Sequence, residues 1–248
     1  MKRLGFFAMI VLCVAMVSNA AVAITSAQLL SKVKTAEAGL KDFKAEMAIT
    51  SANKGNVSDM GEGYSEILKL QKGVISYKNP DKLRMDGYAQ GIKASFIQNG
   101  YKKLVLASMI RKTEDVKNKP GKRLDTLDFG FVSSSLWTNN NVTIVSTDKN
   151  GVTLLKLTPK FGDKDKRHDR VWLNTDNLRL VKREKYKGSG EMRARYTYTD
   201  FQNLAGKLPI ATTSTIYDSD GDNLGTVAYK KVLVNTGLAD SIFSLTQR

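Results

Sequence analysis

Residues 73–86, GVISYKNPDKLRMD, constrain the fold more than any other stretch of the chain. Val74, Ile75 and Tyr77 sit beside Ser76 and Lys78, a β-strand composition with roughly alternating faces. Pro80 removes a backbone donor, so a ladder must break, bulge or lie on an edge there. Leu83 and Met85, interleaved with Lys82 and Arg84, resume a second alternating run. The stretch reads as two short strands joined at a proline corner. A sheet that turns such corners is curved, and a curved sheet encloses something.

The start of the chain points to export. Lys2 and Arg3 precede an apolar run over 4–17, the length of a signal-peptide core and shorter than a membrane span. Ser18-Asn19-Ala20 and Ala21-Val22-Ala23 both present small residues for cleavage, after Ala20 or Ala23. Cys13 follows Leu12 inside the apolar run, without the small residue that a lipidated cysteine needs before it. The expectation is a cleavable, non-lipidated signal over 1–23 and one periplasmic domain over 24–248. No later apolar run approaches a transmembrane length. Cys13 is the one cysteine, so the exported domain lacks disulfides, thiolate metal sites and cysteine nucleophiles. The formal net charge is +15, of which Lys2 and Arg3 carry two. Export and the lack of an aromatic–basic RNA motif argue against a nucleic-acid partner. Two readings of the charge remain: a solvated basic surface, or attraction to anionic head groups during transient contact with a membrane face.

Thr25-Ser26-Ala27-Gln28 matches a capping box, and Leu29, Val33, Ala36, Leu40 and Phe43 follow on one helical face. This predicts a helix over roughly 26–41. Strand-like runs then recur to the end of the chain, at 43–50, 64–70, 73–78, 83–89, 92–98 and 102–109, and again from 142 to 234. Asn99-Gly100, Asp148-Lys149-Asn150 and 218–225 (DSDGDNLG) read as hairpin turns. Residues 111–123 are polar, basic and loop-like. Residues 124–137, LDTLDFGFVSSSLW, fit neither period and read as a short helix or lid with its apolar side inward.

Catalytic chemistry is hard to place. His168, the one histidine, lies in a charged tip without an evident nucleophile or orienting partner. The 218–225 run begins like a calcium loop but has Tyr229 where an EF-hand requires an acid. Neither a phosphate loop nor a dinucleotide fingerprint is present, so no enzyme, cofactor or metal is expected. What remains is apolar material on the inner side of a curved sheet. The candidates to line a cavity for an acyl chain are Phe43, Met47, Ile49, Ile75, Leu83, Met85, Phe96, Leu104, Leu106, Leu155, Trp172 and Phe243.

Taken in order, several of these segments resemble the LolA/LolB-like family of lipoprotein-sorting carriers. They are the helix ending in DFKAEM, the strand GVISYKNPDKLRMD, FIQNGYKKLVL, the apolar segment FGFVSSSLW, VTLLKLTPK, and the tail N-x-x-L-x-D-x-x-F at 235–243. The resemblance implies a mainly β, α+β fold: a half-open antiparallel β-barrel of about ten or eleven strands. An N-terminal helix and a short lid helix would lie over an apolar cavity. It also implies a soluble, monomeric periplasmic carrier of acylated lipoproteins or lipids, loaded by an inner-membrane release complex and emptied by an outer-membrane acceptor. In such carriers an arginine directly precedes the strand proline and tethers the lid. Here that position is Asn79, and the nearest arginine is Arg84; Phe129, Phe131 and Trp137 would complete the lid and latch. The alternative is an envelope-stress or regulatory module of the same fold that pairs with a membrane-protein ectodomain.

Overall fold

The computed structural model describes residues 24–52, 70, 72–89, 91–162 and 166–246. The expected signal segment 1–23 and the strand expected over 64–70, apart from Leu70, lie outside them. Among the described residues no helix is long and apolar enough to cross a membrane.

Helix α1 (Ser26–Glu37) starts where the capping box places it. Thr25 Oγ1 accepts from the Gln28 N–H at 3.2 Å, and Gln28 Oε1 accepts from the Thr25 N–H at 2.8 Å. The helix stops about a turn earlier than its periodicity suggests, because side chains capture the next carbonyls. Asn235 donates to Gly39 O at 2.8 Å and Asn79 donates to Leu40 O at 3.2 Å. Phe43 is thereby released into a strand.

Thirteen strands follow: β1 (Asp42–Ala52), β2 (Lys72–Lys78), β3 (Lys82–Ala89), β4 (Ile92–Asn99), β5 (Lys102–Ala107), β6 (Ile110–Asp115), β7 (Asn140–Thr147), β8 (Val152–Pro159), β9 (His168–Asn174), β10 (Leu180–Tyr186), β11 (Met192–Leu204), β12 (Leu208–Tyr217) and β13 (Asn223–Val234). They form one antiparallel sheet in the order β6-β5-β4-β3-β2-β1-β13-β12-β11-β10-β9-β8-β7. Two meanders thus run outward from a central β1–β13 pair, and the sheet stays open between β6 and β7. The fold class is the expected mainly β, half-open one, with more strands than the ten or eleven anticipated. One run expected to be a loop is β6. Its side chains are nearly all exposed and charged, so it carries no apolar alternation, which is how a sheet edge resists further pairing.

The proline corner is a hairpin turn. Lys78 pairs with Lys82 across it, and the Asn79–Pro80 peptide is cis. Register then builds the concave face. Ala45, Ile75, Met85, Phe96 and Val105 lie opposite one another across β1 to β5, and Phe43, Tyr77, Leu83, Gln98 and Lys103 form the next row. The main core gathers on this face under α1. A smaller cluster of Ile97, Leu104 and Phe243 sits on the other face, where the C-terminal 3₁₀ turn Asp240–Phe243 packs against the sheet.

Between β2 and β3 the backbones approach closely at facing glycines. A Cβ at Gly73 would lie 2.3 Å from the Asp86 carbonyl oxygen, and one at Gly87 would lie 2.7 Å from that of Lys72. Gly73→Ala should therefore lower stability by about 1–3 kcal/mol, the usual cost of overpacking, measured by urea unfolding.

Candidate functional site

The concave face is floored by Phe43, Ile75 and Met85, all fully buried, with Met47, Leu83, Phe96 and Leu155 around them and half-buried Ile49 at the margin. The chain between β6 and β7 crosses over this floor. It forms 3₁₀ turns at Pro120–Lys122 and Thr126–Phe129 and a short helix, α2 (Ser135–Asn139). Its Leu124, Leu127, Phe129, Phe131 and Leu136 are all buried. The Phe131 ring meets Phe43 and Tyr77 edge-on, with centroids 5.7 and 5.4 Å away. The space left under the segment, between Tyr77, Leu83, Gln98, Leu124 and Phe129, is about 20 Å³, room for a water molecule rather than an acyl chain. The cover is closed and its own side chains fill the interior.

Polar contacts hold this cover in place. Asp125 caps the Thr126–Phe129 turn, accepting from the Leu127 N–H at 3.0 Å, while Asp128 accepts from the Asp125 N–H at 2.8 Å. Both carboxylates also accept from Arg183 on β10. Nη1 lies 2.7 Å from Asp128 and Nη2 lies 2.8 Å from Asp125, while Nε reaches Asp169 on β9 at 2.8 Å. Arg183 is only 1% exposed, and Lys185 stands 3.5 Å from Asp128. Burial pushes the Asp125 carboxyl above its ordinary range although Arg183 opposes the shift, and burial pulls Lys185 down. Gln98 clamps the next turn, its amide donating to Leu124 O at 2.9 Å and accepting from the Leu124 N–H at 3.0 Å. Tyr198 Oη donates to Leu127 O at 2.9 Å, Glu37 of α1 accepts from the Ser134 N–H at 2.9 Å, and Trp137 Nε1 donates to Ser26 Oγ at 3.0 Å. The near end of the cover is tied down by Glu114 of β6, which faces Lys103, Lys119 and Lys122 at 3.3, 2.8 and 3.3 Å.

The residues singled out from the sequence divide between the two faces of the sheet. Phe43, Met47, Ile49, Ile75, Leu83, Met85, Phe96 and Leu155 come together on the concave side with Phe129, Phe131 and Trp137 of the cover. Leu104, Leu106 and Phe243 belong to the cluster on the opposite face, because Leu104 pairs with Ile97, one step out of phase with Phe96. Trp172 alternates with buried Val171 and Leu173 and so faces outward, half-buried beneath the Lys182 ammonium 3.7 Å from its ring centre. Asn79 binds the α1–β1 turn, its N–H donating to Lys41 O at 2.9 Å. Arg84 lies on the outer face, clasping Asp86 at 2.6 and 2.8 Å and donating to Ile242 O at 2.8 Å. Sequence reasoning missed Arg183, which holds the cover in their stead. The one local hint was the pair of aspartates three residues apart inside an otherwise apolar segment. His168 stacks on Tyr186 in the surface of β9 and β10, its pKa lowered by burial and by neighbouring Lys156 and Arg170. Among the described residues no three His, Cys, Asp or Glu side chains group as a metal site.

A family model described as "Uncharacterized protein" matches residues 121–247, just over half of the 248, and the chain belongs to that family. No curated protein matches the chain. Among solved structures, a LolA superfamily protein from Nitrosomonas europaea aligns with a TM-score of 0.62 at 18% identity, covering 90% of this chain and 98% of its own. A putative outer membrane lipoprotein-sorting protein domain from Vibrio parahaemolyticus aligns with a TM-score of 0.54 at 14% identity, covering 87% and 95%. The fold is LolA-like.

Arg183→Met should cost about 3–5 kcal/mol at neutral pH, because three carboxylates lose their buried partner. The deficit should shrink in acid, where the folded variant takes up protons on those carboxylates; urea midpoints across pH measure both effects. Glu114 offers a second test. The Lys119 hydrogen bond, the largest influence, with Lys122 and Lys103, holds its carboxyl down to about 2 from an ordinary 4.5. A depressed acid stabilises the fold above its unfolded pKa and loses that contribution as pH falls through the folded one. Glu114→Gln should therefore be less stable than wild type above about pH 4.5 and converge with it near pH 2.

Proposed function

We propose that the chain is an exported, monomeric carrier that holds the acyl chains of lipoproteins or lipids between the concave sheet face and the 124–139 segment. It would move them across the periplasm toward the outer membrane. One observation carries this reading: an apolar floor is closed by a separate segment that plugs it with side chains and is latched by a few polar groups. Such a cover can lift without breaking a strand ladder, since 116–139 donates no strand to the sheet.

In the closed state Phe131 satisfies Phe43 and Tyr77. When the cover lifts, hydrocarbon takes that place, at about 0.8 kcal/mol for each methylene buried. Plug and cargo compete for one surface, so loading and release need only modest affinity differences among donor, carrier and acceptor. An inner-membrane release complex would be the donor and an outer-membrane protein the acceptor. The basic surface would steer the carrier toward anionic head groups. The sorting role named for the Vibrio protein supports a lipoprotein cargo.

Native mass spectrometry of protein purified from the periplasm, followed by lipid extraction, tests the reading. Bound acylated species are expected. A clean apo mass with no uptake of added lipid would overturn the carrier and favour a module that pairs with a membrane-protein ectodomain. Phe131→Ala should weaken the apo fold by about 3–5 kcal/mol if the site cannot collapse. It should also tighten binding of a fluorescent fatty acid several-fold, because the plug no longer competes. Weaker binding would make Phe131 a wall of the site rather than its plug.

A further inference from the structure

On the open side of the sheet, beside the latch, lie two adjoining clefts of about 50 Å³ each, which share Pro120, Arg123, Asp125, Asn140 and Pro159. Among the described residues six cations line this groove: Lys117, Arg123, Arg167, Arg183, Lys185 and Arg193. Its carboxylates, Asp125 and Asp169, are both engaged by Arg183, as is Asp128 behind them. Among the described lining residues six cations thus stand against two carboxylates, in a recess where restricted solvent strengthens the pull of positive charge on an anion.

Two arginines lie close against their neighbours. The Arg123 guanidinium stacks 4.5 Å from the Tyr101 ring centre, and its buried Nε makes no hydrogen bond. A buried donor of this kind is destabilising until an acceptor arrives. The Arg167 guanidinium lies directly over Gly121, where a Cβ would fall 1.4 Å from Nη1. A methyl group there would push the guanidinium aside. Arg123 also lines the small space under the cover, with Tyr77, Leu83, Leu124 and Phe129. Arg123 thus stands between the small space under the cover and the cationic groove.

We propose that this groove binds the phosphate group of a phosphorylated amphiphile. Arg123, Arg167 and Arg193 donate to its oxygens while its acyl chain passes Arg123 into the space under the cover. Planar guanidinium groups match phosphate oxygens in geometry as well as charge. The second half of the proposal rests on the carrier reading; the phosphate site does not.

Titration calorimetry with the full chain, below the micelle threshold, compares oleoyl lysophosphatidic acid with mono-oleoylglycerol, which differ only by the phosphate. Wild type should bind the phosphorylated lipid about ten-fold tighter. In the double variant Arg167→Gln, Arg193→Gln the preference should fall below about two-fold. Gly121→Ala, which displaces Arg167 and alters no charge, should move it in the same direction. Thermal melts confirm that each variant is folded. Equal affinities in wild type, or a preference that survives the double variant, would overturn the phosphate site and leave the carrier reading intact. Binding of glycerol phosphate without either lipid would support the groove and overturn the carrier. No binding of any of the three would overturn both.

Discussion

One seam decides the architecture. Every other ladder joins strands adjacent in sequence, but β1 pairs with β13, setting Phe43 opposite Val234 and Ala52 opposite Gly225. Closing so long a loop costs entropy that grows only slowly with its length, and a single closure fixes both meanders relative to each other. The seam is reinforced at its end by the Asp42 carboxylate, which accepts from the Thr236 N–H at 2.7 Å, Thr236 Oγ1 at 2.9 Å, and the Gly237 and Leu238 N–H groups at 3.1 and 3.3 Å. Burial alone would raise the Asp42 pKa, yet these hydrogen bonds prevail and lower it. Without the seam the apolar faces of the two meanders would not share a common interior.

Once that interior exists, it must be filled, and the sheet does not fill it alone. The 116–139 segment does so with Leu127, Phe129, Phe131 and Leu136, held over the floor by Arg183, Gln98 and Glu37. Apolar contacts are nearly indifferent to small slides, whereas a guanidinium shared by three carboxylates has one good geometry. Buried charges add little net stability, since their desolvation consumes most of the attraction. Their contribution here is position. A cover with one closed position and a modest hold on it is what the proposed carrier would require.

Much of the fold was legible in the sequence, and the exceptions have physical causes. The capping box at Thr25 and Gln28 located the start of α1, but its end was obscured because Leu40 and Phe43 fit both helical and strand spacing. Asn99-Gly100 marked the β4–β5 turn, while β6 was hidden because an edge strand carries charges where an inner strand carries apolar residues. Eight of the expected lining residues share the concave face. Leu104, Leu106, Phe243 and Trp172 do not, because both faces of this sheet bury apolar surface and hydrophobicity alone does not say which. Phe129, Phe131 and Trp137 of the cover were recognisable as part of an apolar run without regular period. Arg84, the arginine nearest Pro80, lies on the outer face, and the arginine that touches the cover stands on β10.

The sequence by itself determined which segments are strands, β6 apart, where most of them turn, and that a curved, mainly antiparallel sheet would close around an apolar interior. These follow from period, turn chemistry and capping, all of which act over a few residues. Only the tertiary structure decided that Arg183 meets Asp125 and Asp128, 58 and 55 residues away, and that Arg123 stands between the interior and a cationic groove. A charged residue in a strand has the same local pattern whether water or a carboxylate solvates it. Which of the two does so depends on what the folded chain brings alongside.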